Sequence, residues 1–142
     1  MVSEGKYIVA SGPVIIENGK LLVIKDSKDG FYKIPGGTVE EQDKNDLEKT
    51  CKREFKEETN GEIGIIEKLS TMILDKNPKT GEKMKIELHH YRAKLKNKKD
   101  IKPLPPVQEI RWLDINEIKQ EKYIVAPNIN FLIERGEIGN IK

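Results

Sequence analysis

The spacing of apolar positions changes along the chain, and each change marks an element. Tyr7 to Glu17 is rich in Ile and Val and predicts a strand. Asn18-Gly19 follows, a pair suited to a hairpin turn whose two central residues both need positive φ. Lys20–Lys25 is the return strand, and its unbroken run Leu21-Leu22-Val23-Ile24 predicts burial on both faces. Asp26 to Gly30 reads as a turn and Phe31–Ile34 as a short strand. Leu47, Cys51 and Phe55 then recur at helical spacing and form an apolar stripe. Asn45 with Glu48 supplies a capping-box start to that helix, and Asn60-Gly61 a left-handed stop.

Glu62 to Lys76 predicts a long strand, with Leu69-Ser70 as the place for a break. Asn77 to Gly81 is a turn by its chemistry, and Glu82 to Lys96 is the hairpin partner. In that partner Met84, Ile86 and Leu88 alternate in one phase, then Tyr91, Ala93 and Leu95 in the other. A bulge or twist is therefore expected at His89-His90. These neighbouring histidines point to opposite faces of a strand, which argues against a shared metal ion. Pro103 to Pro106 holds a stiff loop, Val107–Leu113 is the last strand, and Asp114 with Glu117 starts a short helix. A final helix after Ala126-Pro127 turns Ile129, Leu132 and Ile133 inward, and residues 136–142 are expected to be loose. The order of elements is not the strict alternation of a doubly wound sheet. It predicts an α+β domain spanning residues 1–142, with a mixed sheet between helices.

Composition adds bounds. The 142 residues carry 26 Lys and Arg against 24 Asp and Glu, so the net charge is only +2 and bulk nucleic-acid binding is disfavoured. One cysteine excludes an internal disulfide and suits a reducing cytoplasm. Met1 to Lys6 is not followed by an apolar run of signal-peptide length, and no stretch has the length of a membrane span.

The candidate chemistry lies on the first helix. Glu54, Glu57 and Glu58 fall within an arc of roughly 100° on the helical wheel, so their side chains converge. They also stand in the last turns, where the helix dipole opposes negative charge by about 0.3–1 kcal/mol each. A divalent cation reverses the sign of these repulsions, because hard cations take carboxylate oxygens. A solvated acidic face on a lysine-rich helix is the other reading of the same acids.

The flanking residues bear on that choice. Ile34-Pro35-Gly36-Gly37, Val39-Glu40 and the gapless run Arg53-Glu54-Phe55-Lys56-Glu57-Glu58-Thr59 resemble the Nudix box, G-x5-E-x7-R-E-U-x-E-E-x-G-U, where U is apolar. The box would occupy residues 37–61. It departs from the pattern in two ways. Sixteen positions separate Gly37 from Arg53 where the pattern has fourteen, so two residues are inserted before the helix. The first glutamate of the pattern is then Asp43 counted from Gly37, or Asn45 counted back from Arg53. The terminal glycine is Asn60, with Gly61 one residue late. The segment from Gln108 to Ile118, with Glu109 and Trp112, looks like the strand and helix that close the family's domain.

The resemblance implies an α/β/α sandwich that hydrolyses a nucleoside diphosphate linked to another moiety, with Mg2+ or Mn2+ and water. It implies metal ligands at Glu54, Glu57 and Glu58, a further ligand in the Gly37 carbonyl, and in Arg53 the arginine that holds the carboxylates. The general base would be a box glutamate or a distant one, for which Glu109 is the candidate; Glu109 also reads as a solvent-facing strand residue. Glu40 would add a hydrogen bond behind the site or a metal contact; it also reads as a surface charge of the loop before the helix. Pro78 stands near a proline shared by ADP-ribose subfamilies, but in an evident turn. Tyr32 and Trp112 could stack on a base or pack the core. The partner implied is a small-molecule nucleotide, and homodimers are frequent in the family. A Nudix-fold module that binds a nucleotide without turnover is the alternative.

Overall fold

Two strands distant in sequence form the spine of the fold. The computed structural model describes residues 6–78 and 80–139. β1 (Lys6–Val14) lies parallel to β7 (Lys83–Leu95), with Lys6 opposite Met84 and Val14 opposite Arg92. On the other edge of β1 sits β4 (Gly37–Thr38), antiparallel, with Gly37 opposite Ser11. On the other edge of β7 lie β5 (Ile63–Lys68) and β6 (Met72–Lys76), both antiparallel to it. A second, antiparallel sheet contains β2 (Ile16–Glu17), β3 (Lys20–Asp26) and β8 (Val107–Asp114).

The hairpin between β2 and β3 turns where expected, with Asn18 and Gly19 at φ 53° and 76°. Leu21 to Ile24 are all fully buried. Strand alternation sends Leu21 and Val23 to one side, where they pack with Leu113 and with Ile118, Ile129 and Leu132 of α2 (Ile115–Lys119) and α3 (Pro127–Glu134). Leu22 faces the opposite side, where Cys51 and Phe55 of α1 (Leu47–Thr59) join Ile63, Tyr91, Ala93 and Leu95. The mixed sheet layer is thus covered on both faces by helices, the α/β/α arrangement expected. Among the described residues, no helix is long and apolar enough to cross a membrane.

Several expectations are corrected. The first strand splits at Ile15 into β1 and β2. Phe31–Ile34 forms no extended strand; Tyr32 and Lys33 each make an isolated bridge, to Val125 and Ile24. The break between β5 and β6 falls at Leu69–Thr71, as anticipated. However, β7 carries no bulge at His89-His90, since its pairing with β1 runs unbroken. The register shifts lie in its partners, between Ile65 and Glu67 and between Leu74 and Lys76. The change of apolar phase along β7 is a change of covering layer. His90 is buried against Asn128 of α3, whereas Tyr91, Ala93 and Leu95 face α1. Nor is the tail from Gly136 loose through Gly139: Ile138 is fully buried in the core that contains Ile115 and Ile118. Residues 140–142 lie outside the described residues.

Candidate active site

The cap of α1 sets where its acids point. Asp46, extended at φ −89°, ψ 105°, accepts from the Lys49 N–H at 3.1 Å and is the N-cap in place of Asn45. Aspartate caps as well as asparagine and adds a charge that suits the helix dipole. Asn45 instead takes a left-handed conformation at φ 64°, directly after Lys44 at φ 51°. The helix ends as expected, with Asn60 at φ 62°. Between these ends Cys51 and Phe55 anchor the buried face, and the Ser11 hydroxyl of β1 donates to the Leu47 carbonyl at 2.7 Å. The helix is thereby fixed beside the strand that also holds Gly37.

The glycine turn and the acids meet closely. Gly36, at φ 145°, has a backbone that side chains rarely adopt, and its N–H donates to Glu58 Oε1 at 2.9 Å. A methyl group on Gly37 would overlap the carboxylate of Glu54, so glycine is what lets that carboxylate lie against the turn. Burial raises the Glu54 carboxyl above its usual range, against the lowering effect of Arg53. Burial pushes Glu58 up to about 8; the Gly36 N–H opposes this, and the charges of Glu54 and Glu57 add to it. Glu57 is more exposed and faces Arg53 at 3.2 Å.

Arg53 joins the loop to the helix. Its Nε and Nη2 donate to the two oxygens of Asp43 at 2.9 and 2.8 Å. Nη2 also donates to the Thr38 carbonyl at 3.1 Å, and Nη1 to Glu54 at 3.1 Å. Glu40 lies 3.7 Å from Nη1. Asp43 is fully buried and also accepts from the Glu40 N–H at 3.0 Å and the Thr50 hydroxyl at 2.8 Å. The bonds from Arg53 hold its carboxyl well below the usual carboxylate range. Of the two positions that counting allowed for the first acid, Asp43 is the one placed under Arg53. Nothing in the spacing distinguished it, because the decision rests on the 3-10 turn Glu41–Asp43 that aims it inward.

Residues 6–133 match the family model of the NUDIX domain. The chain belongs to the Nudix family. Membership implies pyrophosphohydrolase chemistry, and the site just described occupies the Nudix box. Among solved structures, the Nudix fold here is similar to the MutT protein from Methanosarcina mazei Go1, at 20% identity and a TM-score of 0.77, covering 99% of this chain and 100% of that one. It is similar to a NUDIX hydrolase from Nitrosomonas europaea, at 19% identity and 0.75, covering 91% and 87%. It is also similar to the NUDIX domain of Shewanella oneidensis NrtR, solved in complex with ADP ribose, at 20% and 0.70, covering 95% and 88%. No curated protein sequence matches the chain.

The structure does not bring every expected residue together. Among the described residues, no three His, Cys, Asp or Glu side chains form a ready-made metal cage. Glu54 and Glu58 flank the glycine turn, while Glu57 reaches it through Arg53. Glu109 on β8 accepts from the Tyr32 hydroxyl at 3.0 Å, and Arg111 donates to that same hydroxyl at 2.9 Å. No hydrogen bond or ion pair between described residues links Glu109 to the acids of α1. Tyr32 packs edge-on to Tyr123 at 6.1 Å and Trp112 joins the core beneath α1, so both serve packing. Pro78 lies in a turn closed by the Gly81 N–H on the Asn77 carbonyl at 2.8 Å.

Proposed function

We propose that this Nudix domain is a Mg2+- or Mn2+-dependent nucleotide pyrophosphohydrolase that splits the anhydride of a nucleoside diphosphate linked to another moiety. The observation that carries the reading is the pair of carboxyls, Glu54 and Glu58, pressed against Gly36 and Gly37 and both resisting ionisation. The donor set suits a hard divalent cation: carboxylate oxygens, with Nε and Nη2 of the nearby guanidinium on Asp43 and Nη1 on Glu54 and Glu57. Glu54, Glu57, Glu58 and the Gly37 carbonyl would hold it. When bound, such an ion supplies neutralisation of phosphate charge and activation of water.

The chain's own groups do the rest. Arg53 ties Glu57 and Glu54 to the loop through its bonds to Asp43 and the Thr38 carbonyl. The attacking water must lose a proton as its oxygen bonds to phosphorus and the bridging P–O bond breaks. Glu109 is the proposed acceptor from outside the box, with a box glutamate as the other candidate. Glu109→Gln, compared with Glu57→Gln, separates the two.

The reading is tested by phosphate release from nucleoside triphosphates, ADP-ribose, dinucleoside polyphosphates and sugar nucleotides, with and without Mg2+. The expected result is metal-dependent turnover that Glu57→Gln abolishes while the fold persists. Unchanged turnover in that variant would sink the site assignment. Nucleotide binding without turnover would favour the second reading, a nucleotide-binding module. The support for that alternative is the two-residue excess between Gly37 and Arg53 and the lack of a clean match to the first glutamate of the box. The single, buried, unpaired cysteine supports a cytoplasmic setting. Light scattering decides whether the domain is a homodimer.

A further inference from the structure

The smaller sheet ends on an open edge. Among the described residues β8 pairs with β3 alone, with Val23 opposite Arg111 and Ile24 opposite Ile110. Opposed residues of an antiparallel ladder alternately exchange their backbone bonds and turn them away. Leu22 and Ile24 direct theirs to the far side of β3. There the Leu22 N–H donates to the Ile15 carbonyl, and Ile24 exchanges both bonds with Lys33, each at 2.9 Å. Their opposites on β8, Trp112 and Ile110, therefore turn their N–H and C=O groups outward, where no partner meets them among the described residues.

Two charges flank Ile110 on this edge. Glu109 Oε1 accepts from the Tyr32 hydroxyl at 3.0 Å, and Arg111 Nη1 donates to the same hydroxyl at 2.9 Å. The Arg111 guanidinium also lies over the Tyr32 ring, 5.5 Å from its centroid. Tyr32 thus holds both side chains on one face of the strand and neutralises neither. Among the described residues, Glu109 and Arg111 form no ion pair, and Glu109 Oε2 and Arg111 Nε and Nη2 have no hydrogen-bond partner.

We infer that residues 109–112 of β8 are the edge to which a second copy of this chain adds its own β8, antiparallel, about a two-fold axis at Ile110. Such an axis joins the two three-stranded sheets into one and sets Ile110 opposite Ile110 of the second copy, in a pair that uses both outward groups of each. Glu109 then faces Arg111 of the second copy, and Arg111 faces its Glu109. These are the positions without backbone bonds, where opposed Cα atoms approach to roughly 4.5 Å and side chains are nearest. An axis at Glu109 or at Arg111 would oppose like charges, so the charges select the register. The irregularity between Lys25 and Asp26 falls opposite Gln108 and keeps the seam short, which predicts a Kd on the order of micromolar.

The test measures mass against concentration by sedimentation, with charge reversals on the full chain. Wild type should pass from the mass of one chain to that of two. Glu109→Arg puts two cations on the edge and Arg111→Glu two anions, so each alone should weaken the dimer by at least about a hundredfold. Mixing these two variants should restore a dimer, and so should both changes in one chain. In wild type, exchange of the Ile110 amide proton should slow as concentration rises. The readouts are mass and exchange, so they stand whether or not the domain hydrolyses a nucleotide and whether or not Glu109 also accepts a proton. A wild type that stays monomeric to about 1 mM overturns the inference. So does a dimer that survives both single reversals, or a mixture of the two folded variants that stays monomeric. Should a variant fail to fold, the Ile110 amide decides, and exchange independent of concentration overturns the inference.

Discussion

Replacing Asp43 by asparagine keeps the shape of the side chain and removes one charge. In the native site one carboxylate oxygen takes the Arg53 Nη2, Glu40 N–H and Thr50 hydroxyl, and the other takes Arg53 Nε. An asparagine can offer its carbonyl to the first three donors only by turning its NH2 toward Arg53 Nε, donor against donor. Two charge-assisted bonds are then weakened or lost, at about 1.5–3 kcal/mol each. Breaking one side of a buried pair costs roughly 3–5 kcal/mol by itself. Arg53 keeps Glu54 and Glu57 as partners and is 14% exposed, which discounts the loss toward about 3 kcal/mol. The unfolding entropy of a chain of 142 residues is roughly 0.3 kcal/mol/K at about 2 cal/mol/K per residue, so Tm should fall by about 10 °C. Differential scanning calorimetry measures this. A double-mutant cycle with Arg53→Met should show coupling of at least about 1.5 kcal/mol. The pH dependence gives a second check. Asp43 binds its proton less readily folded than unfolded, so its stabilisation is complete above pH ~4 and is lost as pH falls through its folded value. The gap between wild type and variant should therefore narrow only below pH ~4. A Tm loss under about 3 °C, or additive single effects, would refute the reasoning.

Other changes have distinct signatures. Gly37→Ala puts a methyl on the Glu54 carboxylate and should lower kcat/KM by at least about tenfold, measured as phosphate release. His90 has a lowered folded pKa, so the unfolded chain takes its proton first and stability is lost as pH falls below ~6.5. His90→Phe should flatten the Tm profile between about pH 7 and 5. Burial pushes the Cys51 thiol up to about 12 and shields it, so thiol reagents should label it only at the rate of unfolding, read by mass spectrometry in increasing urea.

The parts of the fold that follow from local chemistry were legible in the sequence. Asn18-Gly19 fixes its turn, the run Leu21–Ile24 is buried on both faces, and Asn60 stops α1. Elements decided by tertiary context were not. Asn45 and Asp46 are adjacent and both can cap, and the left-handed pair before the helix chose Asp46. Phe31–Ile34 has strand composition but finds only single bridges, because its neighbours β3 and Val125 leave it no ladder. The phase change in β7 mimicked a bulge because pattern alone cannot tell a shifted backbone from a changed neighbour. At the site, the acids of α1 were visible from helical spacing, whereas the burial of Asp43 under Arg53 was not, because it rests on the 3-10 turn Glu41–Asp43.

The parallel spine has a consequence for the order of assembly. Every pairing of β1 with β7 encloses the glycine turn, α1 and the β5–β6 segment. Closing a loop of that length costs on the order of 4 kcal/mol of chain entropy before any contact returns it. The antiparallel contacts of β7 with β6 close far shorter loops and can form first, leaving β1 to dock late. Since β1 carries the partner of Gly37 and the anchor of α1, the meeting of the glycine turn with the acids of α1 would be the last thing the folding chain acquires. Chevron analysis of Val9→Ala should then show faster unfolding and a nearly unchanged refolding rate.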